Sequence, residues 1–224
     1  MTPEAFAEGF NSLHPPKHLA LALSGGRDSI ALLRLCACYA RQTGMALTAF
    51  TVDHGLRSGA ADEARQAARW AGEAGVDHEI LQWTGDKPSS GVQAAARQAR
   101  YRLLIEAAQA AGCDGLATAH TLDDQAETAF MRLSRGAGPT GLAAIRAQGF
   151  AACGAGAPIR LLRPLLGFSR AAVTAYLAGI GQDYVDDPSN DDPRFERVRV
   201  RAVIAALAEQ ELLTPEALAE TARK

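Results

Sequence analysis

Six residues, Ser24-Gly25-Gly26-Arg27-Asp28-Ser29, stand between an apolar run and a run with helical spacing. A helix N-terminus carries unpaired N–H donors and a partial positive charge, and so attracts phosphate. Gly25 and Gly26 lack Cβ atoms, which lets the backbone wrap close to an anion, and Ser24 and Ser29 add hydroxyl donors. Asp28 does not suit that task alone, because a carboxylate repels phosphate. A magnesium ion bridging Asp28 to phosphate oxygens resolves the conflict. A plain capped turn needs fewer small polar residues than this. The spacing also differs from Gly-x-x-x-x-Gly-Lys and from Gly-x-Gly-x-x-Gly.

Four further stretches carry chemistry-bearing side chains. "VDHGLR" (52–57) brings Asp53 and His54 to the end of another apolar run, where a nucleotide base or ribose would lie; Asp and His before glycine also simply make turns. In "ARQARYR", Arg97, Arg100 and Tyr101 are spaced i, i+3, i+4 on one helix face. That stripe suits clamping phosphate and stacking on a base, or a solvated face. "ATAHTLDDQAET" (117–128) ends a strand at His120 and sets Asp123, Asp124 and Glu127 on the first turns of a helix. Acidic residues there favour the helix dipole, yet together with His120 they could bind Mg²⁺, hold a cationic amine or take its proton. "DDPSNDDPRFERVRVR" (186–201) leads a turn into Arg194, Arg197, Arg199 and Arg201, which reads as a salt-bridged surface or as RNA phosphate contacts.

The elements that must position these residues alternate strand and helix. Strands are predicted at 18–24, 46–55, 77–83 and 115–120, and helices at 28–44, 58–75, 92–112 and 122–136. A fifth strand falls around 159–166 within a glycine-rich, otherwise loop-like segment. A helix at 169–181 follows with Ser169 as N-cap, and one or two more run from about 197 to the end. Continuous apolar strands in successive strand–helix units argue for an α/β fold, a parallel five-stranded sheet flanked by helices. A small C-terminal helical extension completes it, dividing the chain at 1–166 and 167–224. Ligands of such folds sit at the carboxyl ends of the strands, where Ser24–Ser29, Asp53–Arg57 and His120–Glu127 all fall.

Composition bounds the rest. The 224 residues are 48% hydrophobic with net charge −2, so bulk charge does not announce a nucleic-acid binder. Of 23 cationic residues 20 are arginine, the better bidentate partner for phosphate. Cys36, Cys38, Cys113 and Cys153 form no CxxC pair and read as small core residues of a reducing compartment. No secretory leader pattern and no apolar run of about 18 residues is present, so the expectation is a soluble, cytoplasmic protein with no membrane partner.

The loop at 24–29 resembles the S-G-G-x-D-S loop of the PP-loop ATP pyrophosphatases, of adenine nucleotide alpha hydrolase-like fold, which use ATP to adenylate a substrate. Together with "VDHGLR", "AARQARYRLL", "ATAHTLDDQAET", "RLSRGAGPTGLAAI", "RLLRPLL" and "DPSNDDPRF", in that order from 18 to about 204, the chain resembles the tRNA(Ile)-lysidine synthases. The resemblance implies a ligase that adenylates C2 of the wobble cytidine of CAU-anticodon tRNA(Ile) and then joins L-lysine there through its ε-amine. It implies Ser24, Gly25, Gly26, Arg27, Asp28 and Ser29, with Asp53 and His54, at ATP, and Asp28 and Asp124 at Mg²⁺. His120, Asp124 and Glu127 would surround the lysine amine. Asp28 and Arg100 would join those three in catalysis, and Arg97, Arg100, Arg194, Arg197, Arg199 and Arg201 would contact tRNA. Asp28→Ala and Glu127→Ala are each expected to abolish activity with the fold intact. The lysine amine is protonated at neutral pH, with a reference pKa of about 10.4, so a carboxylate or histidine must recognise it and help it lose a proton.

The chain departs from the family pattern in two places. Thr121 stands where a second histidine is usual, and the block 195–201 keeps its arginines but loses an asparagine. Relatives continue into further tRNA-gripping domains, so the chain is expected to stop short of them; the oligomeric state is open, with a homodimer among the options. The alternatives are a PP-loop tRNA 2-thiolation enzyme, an ATP-dependent amidating enzyme or other ATP pyrophosphatase, and a non-catalytic nucleotide-binding module.

Overall fold

The computed structural model describes residues 1–55, 59–85, 91–152, 157–186 and 192–222. In chain order the elements are α1 (Pro3–Ser12), β1 (His18–Ala22), α2 (Arg27–Thr43), β2 (Ala46–Asp53), α3 (Ala60–Glu73), β3 (Asp77–Gln82), α4 (Val92–Ala110) and β4 (Gly115–Ala117). They continue with α5 (Leu122–Ser134), α6 (Pro139–Leu142), β5 (Gln148–Ala151), β6 (Ile159–Leu162), α7 (Arg170–Gly179), α8 (Glu196–Glu209) and α9 (Pro215–Thr221).

The sheet order is β3-β2-β1-β4-β6-β5. Strands β1, β2, β3, β4 and β6 are mutually parallel. Leu19, Ala20 and Leu21 are all buried, as a strand covered on both faces requires. Strand order reverses at β1, which lies between β2 and β4, and the crevice beyond that reversal is where such sheets bind ligands.

Among the described residues the sheet has six strands rather than five. The extra strand, β5, comes from the glycine-rich segment and pairs antiparallel with β6, placing Phe150 opposite Arg160. It is a four-residue edge strand with Gln148 and Phe150 exposed, so it lacks the continuous apolar run by which the inner strands announce themselves. Helix α1 also escaped the sequence reading. Thr2 caps it, accepting from the Ala5 N–H, and Pro3 occupies its first turn. Its Phe6 and Phe10 are fully buried, and Phe10 meets the Tyr39 ring edge-on at 5.1 Å.

Two cores result. Beneath one face α1, α2, α3 and α7 pack on the sheet, with Val173 and Leu177 of α7 fully buried beside α2. On the other face α4 covers β2 and β4 through Leu104 and Ile105. Helices α8 and α9 lie against α5, where Ala126, Val200, Ile204 and Leu218 form a smaller cluster. Among the described residues no helix is long and apolar enough to cross a membrane. Removing the Phe10 ring should cost about 3–5 kcal/mol. Urea unfolding of Phe10→Ala measures this, and a loss below about 1 kcal/mol would mean that α1 is not part of the core.

Candidate active site

A cleft of about 860 Å³ lies at the carboxyl ends of β1, β2 and β4, a volume usual for small-molecule sites. Its first wall is the turn joining β1 to α2. Gly25 sits at φ +80°, a conformation that a side chain disfavours. Its carbonyl accepts from the Val185 N–H at 2.9 Å, and Gly26 forms a parallel bridge with Val185. A Cβ on Gly25 would lie 3.4 Å from Val185 Cγ2, so this glycine admits both the turn and the strap behind it.

Hydroxyl groups fix the shape of the turn. Ser29 Oγ donates to the Gly26 carbonyl at 2.8 Å and accepts from the Ser24 N–H at 3.2 Å; Ser24 Oγ lies 3.1 Å from it. Gly26 caps α2 without a side-chain acceptor, which leaves first-turn N–H groups of the kind that receive an anion. Asp28, on that first turn, takes a hydrogen bond from Arg27 Nε at 2.9 Å.

The second wall begins at Thr121, which caps α5. Its Oγ accepts from the Asp124 N–H at 3.4 Å, while Asp124 Oδ2 accepts from the Thr121 N–H at 2.8 Å, a reciprocal capping box. The residue that replaces a histidine of the family pattern is thus a helix cap that aligns Asp124. The other carboxylate oxygen, Oδ1, lies 3.6 Å from Arg197 and 3.8 Å from Arg170. Burial pushes the Asp124 carboxyl up, but the Thr121 hydrogen bond, His120 and the two arginines outweigh it and hold the pKa below its ordinary value. Asp124 is therefore an anion at neutral pH.

His120 lies beside it, three residues past β4, with Nδ1 2.9 Å from the Thr118 hydroxyl. Burial drives the ring's pKa down to about 4, and Arg163, Arg97 and Arg197 push the same way against Asp124. The imidazole is neutral at pH 7 and so able to accept a proton.

The acidic cluster divides by role. Asp124 lines the cleft; Glu127 does not, and is only 2% exposed. Glu127 Oε1 accepts from both terminal nitrogens of Arg170 at 3.2 Å and from Arg201 Nε at 3.0 Å. Its Oε2 lies 3.5 Å from Arg197 Nε. Asp123 instead accepts from the Arg170 N–H at 2.6 Å, anchoring the start of α7. Arg170 was not singled out in the sequence, though a signal existed: it follows the cap Ser169 directly, where the helix dipole disfavours a cation. Burial pulls its guanidinium down, but Glu127, Asp124, Asp123 and Asp28 together raise its pKa.

Arg97, Arg100 and Tyr101 line the cleft from α4, the two guanidinium groups 5.2 and 5.8 Å from the tyrosine ring centre. The α8 arginines separate by helical period. Arg197 and Arg201 face the cleft, whereas Arg199 donates to the Pro193 and Arg194 carbonyls and Arg194 pairs with Asp192 at 2.6 Å on the outside. His54 lines the cleft edge-on to Trp83. Asp53 is buried outside the lining and accepts from the Gly55 N–H at 2.8 Å. Leu56, Arg57, Cys153 and residues 187–191 lie outside the described residues.

Among the described residues no three His, Cys, Asp or Glu side chains gather as a metal site. Both Asp124 oxygens are engaged, by Thr121 and by arginines, and both Asp28 oxygens lie against Arg27, at 2.9 and 3.5 Å. The carboxylates present fit a magnesium ion carried mainly by phosphate oxygens.

Two measurements check this geometry. Glu127→Ala takes away the carboxylate that three arginines share and leaves Arg170 and Arg197 only the more distant Asp123 and Asp124, so it should cost about 3–5 kcal/mol in urea unfolding rather than leave the fold intact; a loss under 1 kcal/mol contradicts the cage. The unfolded chain binds a proton at His120 near pH 6.5 and the folded chain only near 4. His120 therefore stabilises the fold fully above pH 6.5, and that contribution, about 2–3 kcal/mol, disappears as the pH falls to 4. His120→Asn should flatten the stability curve across that window, and an unchanged slope would mean that the ring titrates normally.

A family model described as PP-loop domain matches residues 3–207. The chain is 50% identical over 192 residues to the tRNA(Ile)-lysidine synthase of Rhodopseudomonas palustris, covering 85% of this chain and 54% of that protein. It is 48% identical over 201 residues to the tRNA(Ile)-lysidine synthase of Bradyrhizobium diazoefficiens, covering 89% and 54%. The chain thus spans about half the length of these curated relatives. Among solved structures it is similar to a U34-tRNA thiolase NcsA from Methanococcus maripaludis with its 4Fe-4S cluster. There the TM-score is 0.76 and the identity 18%, over 98% of this chain and 76% of that one. That likeness is one of fold.

Proposed function

Because the chain belongs to the PP-loop domain family, we propose that it carries the catalytic part of a tRNA(Ile)-lysidine synthase, a carbon–nitrogen ligase of the cytoplasm. In the first step the C2 oxygen of the wobble cytidine attacks the α-phosphorus of ATP and pyrophosphate leaves. In the second, the lysine ε-amine attacks C2, loses a proton, and AMP leaves with the oxygen. The observation that best supports this reading is the shared cleft, with the phosphate turn 24–29 on one wall and anionic Asp124 beside neutral His120 on the other.

Each wall suits one substrate. The N–H groups at the start of α2 and the Ser24 hydroxyl are donors for the triphosphate. Asp28 would hold magnesium, which neutralises the departing pyrophosphate when bound. Asp124 attracts the lysine ammonium, and His120, fixed by Thr118, takes its proton. Arg100 and Arg97 would stabilise charge on the activated base, while Arg197 and Arg201 would meet the RNA. Glu127 serves by placing those arginines. Residues 1–166 would hold the nucleotide, and 167–224 would supply Arg170, Arg197 and Arg201.

The 2-thiolation alternative needs exposed, reactive sulfur. Among the described cysteines Cys36 and Cys113 are buried, and burial pushes both thiols up, Cys113 to about 11, which suits packing; Cys38 on α2 is half-buried and does not line the cleft. Incubation with ATP, Mg²⁺, labelled lysine and CAU-anticodon tRNA(Ile) tests the reading through lysine appearing in the RNA. Asp28→Ala and Asp124→Asn should each lower incorporation at least about 100-fold, with Asp124→Asn retaining ATP affinity. ATP binding with no lysine transfer would favour the nucleotide-binding module.

A further inference from the structure

The arginines of the cleft fall into two electrostatic classes. Arg27 pairs with Asp28, Arg170 with three carboxylates, and Arg197 and Arg201 with Glu127. Arg97 and Arg100 form no ion pair among the described residues; both stack around Tyr101. A third guanidinium joins them from beyond the cleft lining. Arg163 follows β6, its N–H donating to the Ala147 carbonyl at 2.9 Å and its Nη1 to the Arg146 carbonyl at 2.6 Å. Among the described residues its Nε is buried with no hydrogen-bond partner, while its guanidinium lies within hydrogen-bonding reach of Tyr101 and beside Arg97. Three cations thus stand round one tyrosine and form no ion pair among the described residues, unlike every other arginine that lines the cleft.

We infer that Arg163, with Arg97 and Arg100, forms a binding site for a phosphodiester of the RNA backbone on the α4–β6 side of the cleft. The inference rests on the RNA substrate of the proposed function. The nucleotide triphosphate has its own donors at the end of β1, and Arg163 lies past the end of β6, two strands away. At about 4.8 Å per strand that separates the two anion sites by about 10 Å. His120 and Asp124 stand between them, after β4. A nucleotide of the RNA anchored by its phosphate at Arg163 presents its base toward that centre, while the triphosphate arrives from the other side. Guanidinium groups match phosphate oxygens bidentately, and the Tyr101 face beside them suits an unstacked base.

The test uses a labelled RNA hairpin with a CAU loop, with affinity measured against salt concentration, beside ATP affinity and the melting temperature. Arg163→Gln should weaken hairpin binding about tenfold and make the salt dependence shallower by about one counterion. ATP affinity should stay within about twofold, and the melting temperature should hold or rise, since an uncompensated cation has gone. Arg163→Lys should restore the salt slope but not the full affinity. Unchanged hairpin affinity and slope, a loss of ATP affinity in place of RNA affinity, or a lower melting temperature with RNA binding intact would each overturn the inference. Hairpin binding absent from the unaltered protein would count against the RNA reading itself, and this site with it.

Discussion

One buried carboxylate decides whether the cleft has a second wall. Glu127 sits on α5 and receives Arg170 from α7 and Arg201 from α8, with Arg197 alongside. Buried ion pairs recover little net stability, because each charge is desolvated, but an unmatched one is severely penalised. Alternative dockings of α7 and α8 would leave a carboxylate or a guanidinium stranded. The charge cluster therefore acts on placement: it fixes the start of α7, and α8, which packs apart from the sheet core, over the strand ends.

That placement frees Asp124. With Glu127 drawing the arginines inward and Thr121 fixing one oxygen of Asp124, this second carboxylate stays ionised at the cleft surface. Facing it across the cleft are backbone donors rather than side-chain cations, since Arg27 is matched by Asp28. The cleft is consequently polarised along the sheet edge, with an anion-receptive turn after β1, an anionic carboxylate with a neutral imidazole after β4, and uncompensated guanidinium groups around Tyr101. Such a field sorts a phosphate and an ammonium to different places before any bond changes.

Much of this was legible in the residues themselves. Parallel strands were readable because they are buried on both faces and therefore uniformly apolar; β5, solvated at an edge and only four residues long, left no such trace. The positions of Ser24–Ser29, His120 and Asp124 at strand ends followed from alternation alone. What the sequence obscured was depth. Asp124 and Glu127 are three residues apart on one helix, yet one faces the cleft and the other is sealed behind it, because α7 and α8 dock from distant parts of the chain. Arg170 and Arg163 stayed unnoticed for the same reason: their partners lie about 40 and 60 residues away in sequence. Among the α8 arginines, helical period would have separated Arg199 from Arg197 and Arg201 had the start of the helix been fixed.

The central claim is that one cleft receives a triphosphate at the turn after β1 and an amine at Asp124. A crystal structure with a non-hydrolysable ATP analogue and lysine bound measures this directly. The account predicts phosphate oxygens within about 3 Å of the first N–H groups of α2 and the lysine Nζ within about 3 Å of an Asp124 oxygen. Lysine held away from Asp124, or the triphosphate seated elsewhere than on residues 24–29, would contradict it.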